Sequence, residues 1–274
     1  MKNPAYFCGE VTMSRIIGYL LLCLISSLFF LISSKPASAV PPLVTGDVPT
    51  ADKGTMEVFL GTRYRKTEKI ERQLPFEEIV LGISNWQELT FEIPYLVNTS
   101  PQGRFQGFGD AVLGTKIQFL EEDETNPGMA LSFEAKLDNG NQRKGLGSGA
   151  TDFDLRWRMQ KTRAWFTGIG NVGYTFTGEP RVEGIREKKR DVWLLAFAQE
   201  YRISTPIKLL SEIYWKTNDA ADGPDTFAGN IGFKYTPFPG LQIHTAVGKS
   251  LRVNNRGGPD LLIYGGLKME FSMK

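Results

Sequence analysis

His244 is the only histidine in the 274-residue chain, so any histidine-based catalytic dyad has to use it. Positions two apart on a strand share a face, so a serine two on from the histidine would stand beside it. Here Thr245 and Ala246 follow, and His244 shares its parity with Gln242, on the polar side of its segment. With one histidine and cysteines only at Cys8 and Cys23, a zinc or iron centre has too few donors, and no cofactor is expected. Gly168, Gly170 and Gly173 spell GxGxxG, but no helix pattern follows to offer its N-terminus to a pyrophosphate. They read as small residues of a strand. Gly145, Gly147 and Gly149 lack the Lys-Ser or Lys-Thr of a phosphate loop and read as part of a long flexible loop. Asp219, Asp222 and Asp225 lack calcium-loop spacing and read as solvated charge. The chain is not expected to be an enzyme.

The charged residues take their meaning from the elements that carry them. From Thr151 to Gln160 the sequence alternates, with Phe153, Leu155, Trp157 and Met159 on one face and Asp152, Asp154, Arg156, Arg158 and Gln160 on the other. A strand that is apolar on one side and carries four charges on the other suits a wall between lipid and a polar interior. Similar segments recur at 55–65, 76–84, 87–97, 109–121, 128–138, 163–177, 191–203, 206–217, 226–237, 240–250 and 260–271, which makes twelve. Most match the roughly 9–11 residues a tilted strand needs to cross hydrocarbon, and an even number returns both ends to one side.

The connections sort by length. Short links follow the even-numbered segments, at Asn85 with Trp86, Glu122 to Pro127, Lys161 with Thr162, near Thr205, and Pro237 to Gly240. Long polar links are expected at 66–75, 98–108, 139–149, 178–190, 218–225 and 251–259. Short turns on one rim and long loops on the other are the habit of outer-membrane barrels, with the turns in the periplasm. Trp86, Trp165, Trp193 and Trp215 fall near segment ends, where an interfacial aromatic girdle belongs.

The N-terminus agrees. Arg15, the apolar run Ile16 to Ile32 and Ala37-Ser38-Ala39 read as a secretory signal peptide cut after Ala39, rather than a retained anchor, with Met13 an alternative start. Both cysteines leave with it. Cleavage also removes Lys2, Arg15, Lys35 and Glu10, which leaves about 235 residues with 29 basic and 29 acidic side chains. A formal charge of zero gives no reason to expect nucleic acid as a partner. The expected organisation is a signal peptide at 1–39, an extended segment at 40–54 and a twelve-stranded transmembrane antiparallel β-barrel at 55–274, all-β in class and located in the outer membrane. In the last segment Gly266, Met269 and Phe271 have the Gly-x-x-apolar-x-aromatic spacing of an insertion signal for the barrel-assembly machinery.

With the segments placed, several stretches resemble a known family. They are Pro42-Leu43-Val44-Thr45-Gly46-Asp47 leading to Gly54, Gly82-Ile83-Ser84-Asn85-Trp86-Gln87-Glu88-Leu89, Gly107-Phe108-Gly109-Asp110 with Gly114 and Lys116, and Gly145-Leu146-Gly147-Ser148-Gly149 before Asp152. Together they resemble the outer-membrane family described as "Putative MetA-pathway of phenol degradation", over nearly all of the mature chain. The resemblance implies a barrel associated with transport of small, often aromatic or apolar compounds. It supplies no agreed functional residue, and Leu137-Asp138-Asn139-Gly140 stands where relatives commonly show a Pro-Thr-Gly turn.

The expected function is a passive outer-membrane channel or transporter for small solutes, of unspecified identity. Its expected lumen lining is Glu92, Glu134, Lys136, Asp152, Asp154, Arg156, Arg158, Glu212, Lys216, Lys234, His244, Lys268 and Glu270, a set of balanced sign that narrows the conduit by ion pairs across it. The segment from Val40 to Gly54 is a candidate for partial obstruction. Membrane lipid and lipopolysaccharide are the expected surroundings, the latter through Arg181, Arg186, Lys188, Lys189 and Arg190, a cluster diluted by Glu179, Glu183, Glu187 and Asp191. The alternatives are an adhesive or structural barrel whose loops bind a partner, and a soluble periplasmic β-sandwich.

Overall fold

The computed structural model describes residues 43–67, 70–74, 78–100, 103–182, 185–220, 223–251 and 258–273. Residues 1–42, on which the expected signal peptide falls, Asp222 and most of the 251–259 link lie outside them. Seventeen strands are present among these residues: β1 (Thr55–Lys66), β2 (Ile70–Leu74), β3 (Glu78–Ser84), β4 (Gln87–Glu92), β5 (Tyr95–Ser100), β6 (Gly103–Phe108), β7 (Val112–Leu120), β8 (Gly128–Lys136), β9 (Asp152–Arg163), β10 (Phe166–Phe176), β11 (Arg181–Val182), β12 (Ile185–Arg186), β13 (Val192–Ser204), β14 (Ile207–Lys216), β15 (Thr226–Phe238), β16 (Leu241–Ser250) and β17 (Leu261–Ser272). β11 and β12 form a small hairpin of their own; the other fifteen make one antiparallel sheet, which β1 closes on β17 from Thr55 opposite Ser272 to Lys66 opposite Leu261.

The fifteen strands build twelve staves. β1 pairs with β3 through Met56–Phe59 and with β2 through Arg63–Lys66, so β2 and β3 continue one another along the wall. The same holds for β4 with β5 and for β6 with β7, because β4 pairs with β7 while β5 pairs with β6. Two of the links expected to be long loops are therefore largely wall. Strand β2 occupies 70–74 and the β5–β6 hairpin occupies most of 98–108. The sequence hid them because these strands rise past the apolar band: Glu71, Arg72, Gln73, Arg104 and Gln106 put polar groups on both faces, and no alternation remains to see.

Outside the barrel the odd members of β9 are joined by other apolar side chains turned outward, among them Phe91, Phe133, Ile213, Ile231 and Ile263. Their exposure is what a lipid-facing surface requires. A closed sheet leaves no open edge, so its backbone groups are paired in a solvent that offers none. Aromatic pairs mark both rims: Trp165 stacks on Tyr201 at the short-turn rim, and Trp193 meets Tyr174 edge-on at the other. Both ends of the barrel, Thr55 and Ser272, lie on the rim of the tight turns.

Inward-facing residues are mostly polar, and the core they enclose belongs to the segment before β1. Val44 packs on Leu194, Ala196, Tyr214 and Ala228, Leu43 on Ile169 and Ala198, and Ala51 on Phe59 and Val80. The barrel interior is filled in part by its own N-terminal chain.

Candidate functional site

The segment 43–52 enters the barrel from the short-turn rim and meets the wall through its backbone and through several of its side chains. Gly54 N–H donates to Gly82 O at 2.9 Å and Thr50 Oγ1 to Asn85 O at 3.3 Å, which fixes the base at the first tight turn. Gly82 is required there: a Cβ on it would lie 2.0 Å from Asp52 O. One step inward, Ala51 N–H donates to Glu88 at 2.7 Å. Lys116 then donates to Pro49 O at 2.6 Å and pairs with Asp47 at 3.1 Å and Glu88 at 3.0 Å.

Deeper still, Asn171 holds Gly46 as a strand neighbour would, accepting from its N–H at 2.7 Å and donating to its carbonyl at 2.9 Å. Glu212 accepts from Val44 N–H at 3.1 Å and from both Thr45 N–H and Thr45 Oγ1 at 2.6 Å. Asn230 steadies that carboxylate from the neighbouring strand. Arg156 and Arg158 donate to the carbonyls of Val44 and Asp47, at 3.2 and 3.3 Å. Gly46 also makes room, because a Cβ on it would meet the Arg158 guanidinium at 2.3 Å. Buried peptide groups need partners, and here the wall supplies them one by one.

Beside this plug lies a cavity of about 770 Å³, bounded by plug residues and by wall residues that include Glu92, Glu134, Arg156, Arg158, Lys216, Lys268 and Glu270. Lys136, Asp152, Asp154, Glu212, Lys234 and His244, also expected at the lumen, do not bound this cavity. Lys136 and Asp152 form an ion pair toward the long-loop rim, where Asp152 also accepts from Gly178 N–H. Asp154 accepts from Thr175 Oγ1 at 2.7 Å. Glu212 is covered by the plug. Toward the short-turn rim, Lys234 and Lys208 share Glu200, Lys268 bridges Glu57 and Glu270, and His244 is fully buried against Phe59 with Gln242 at 3.1 Å.

Four plug-binding residues were not among those expected: Glu88, Lys116, Asn171 and Gln160, which accepts from Val48 N–H, with Ser132, unbonded among the described residues, beside them. Their signal was inward parity, since Arg158 of β9 faces Asn171 of β10 and Arg156 faces Ser132 of β8. Gly266, Met269 and Phe271 lie on β17, with Phe271 outward and Gly266 giving space to the buried Tyr264 ring. Gly168, Gly170 and Gly173 lie on β10. Of the basic residues of the 178–190 link, Lys189 pairs with Glu187 and Asp219, Arg190 donates to Ala220 O, and the exposed Arg186 stands 4.0 Å from Glu179.

A second anchored element closes over the long-loop side of the wall. Asp110, in the break between β6 and β7, accepts from Gly140 N–H with one oxygen and from Ser148 N–H and Oγ with the other. Asn139 accepts from Ala111 N–H, and Asn98 donates to Gly145 O. Gly140 and Gly147 are needed because Cβ atoms there would come within 2.8 and 2.6 Å of the Asp110 carboxylate. Asn98 shares its level with Glu71 and Arg65, so this loop lies against the inner face of the hairpin.

The fold is similar to that of the COG4313 outer membrane channel from Pseudomonas putida F1, at 13% identity and a TM-score of 0.68, over 84% of this chain and 100% of that one. It is also similar to the NanC porin, at 11% identity and a TM-score of 0.51, over 78% of this chain and 98% of that one. No curated protein sequence matches the chain. The short stretches that carry the sequence resemblance turn out to be the plug, the turn that holds its base, and the two halves of the Asp110 anchor. The model of the family described as "Putative MetA-pathway of phenol degradation" matches residues 42–262, and this outer-membrane β-barrel belongs to that family.

Proposed function

We propose that the protein is a passive outer-membrane channel for small solutes whose conductance is set by its own N-terminal plug. The observation that carries this reading is a polar lumen whose cavity of about 770 Å³ is bounded on one side by the chain's own segment 43–52. A cavity of that size suits small molecules rather than polymers. Balanced charge on the wall argues against strong selection between cations and anions.

The plug is held by hydrogen bonds to the wall, most of them to or from charged groups, and by Leu43 and Val44 on their apolar pads, against the conformational entropy that ordering the segment costs. In this reading Glu92, Glu134, Arg156, Arg158, Lys216, Lys268 and Glu270 meet the solute, whereas Glu212 and Asn171 hold the gate. Gly266, Met269 and Phe271 serve recognition by the assembly machinery, and lipid with lipopolysaccharide surrounds the wall.

Liposome swelling with uncharged solutes of increasing size tests the proposal. Flux that falls with solute size, and that rises when Glu212 is replaced by alanine, is expected. No flux from either form would leave the barrel as an anchor for its loops.

A further inference from the structure

At one level of the wall the register sets Lys116 of β7, Ser132 of β8 and Arg156 of β9 side by side, and the next level toward the short-turn rim brings in Arg158. Lys116 is saturated by Asp47, Glu88 and Pro49 O. The two arginines are not. Arg156 stands 3.5 Å from Asp154 and Arg158 stands 3.7 Å from Glu134, whereas charge-assisted bonds from a guanidinium close to about 2.7–2.9 Å. Beyond one plug carbonyl each, their Nε atoms have no hydrogen-bond partner among the described residues, and neither does the hydroxyl of the buried Ser132. Lys216 lines the same cavity, as do Glu92 and Glu134. The plugged lumen keeps several donors under-used at a single place.

We propose that this cavity binds a small solute carrying a carboxylate, through Arg156 and Arg158 with Ser132 as a further donor, and that the bound carboxylate competes with the plug for those arginines. The proposal rests on the channel reading above, which brings solute to the lumen. A carboxylate presents two oxygens to the planar fork of a guanidinium, and a plug carbonyl presents one. An incoming carboxylate that draws both side chains to itself frees the carbonyls of Val44 and Asp47. Glu212 and Asn171 remain attached, so the plug loosens instead of being expelled.

Titration calorimetry of the purified protein in detergent micelles, with butyrate and its neutral counterpart butyramide, reads binding directly. Hydrogen exchange at the amides of residues 44–48 reads the plug. Butyrate is expected to bind at least about tenfold more tightly than butyramide and to speed exchange at those amides, which chloride at equal ionic strength does not do. The Arg156→Gln, Arg158→Gln double variant should lose the preference. Ser132→Ala, which leaves every plug contact in place, should weaken butyrate by about threefold or more. Equal binding of the two probes by the unaltered protein, or an equal effect of chloride, overturns the proposal whether or not the variants fold. Because binding is read in micelles, it can fail while solute flux persists, and flux can be absent while butyrate binds.

Discussion

Glu212 shows how one inward carboxylate can serve as a latch. It takes three hydrogen bonds from Val44 and Thr45, and a charged acceptor makes each worth roughly 1.5–3 kcal/mol. Glu212→Ala should raise channel current several-fold and speed exchange at the Val44 and Thr45 amides, with the melting of the barrel little changed. Unaltered exchange at those two amides would remove Glu212 from this role. Gly82→Ala acts on the base of the plug, where the new methyl meets a backbone oxygen that cannot swing aside. A loss of about 1–3 kcal/mol in plug docking is expected for such overpacking, read as faster hydrogen exchange at the Ala51 amide. That these residues point inward could be read from alternation. That their partner is the chain's own segment could not, since a stretch such as Pro41-Pro42-Leu43-Val44 has no period to say which side chains it meets.

Among the elements, turns on the short rim are built from local hydrogen bonds that leave a pH signature. Asp123 accepts from the Asn126 and Thr125 backbone N–H groups and from the Asn126 side chain, and these bonds hold its carboxyl below the usual aspartate range. Lys161 completes the turn by donating to the carbonyls of Asp123, Glu124 and Asn126. A depressed pKa in the folded state means support present above the ordinary aspartate pKa and lost as pH falls through the lower, folded value. Asp123→Asn should flatten that acid-side loss in hydrogen exchange at Thr125 and Asn126; an unchanged profile would mean that another group controls it. On the opposite rim, Asp110→Ala should release the 137–151 loop, since three donors lose their acceptor, and limited proteolysis there would report it. The twelve-fold wall was legible because lipid enforces alternation. Strand β2 and the β5–β6 hairpin were not, because past the apolar band that enforcement ends.

For the molecule as a whole, the wall and the plug have different sources of stability. The wall is held by a closed ladder of strand pairs, from β1 on β17 around to β1 on β3, and owes nothing to residues 43–52 for its closure. The plug is held by the polar lumen and three small apolar pads. Removing it should therefore change permeability far more than folding. Single-channel recording of the protein beside a variant lacking residues 43–52 tests this most directly. A small or flickering current is expected from the intact protein and a larger, steady one from the variant, with the variant still a folded barrel. Equal currents from the two folded forms would contradict a plug that sets conductance.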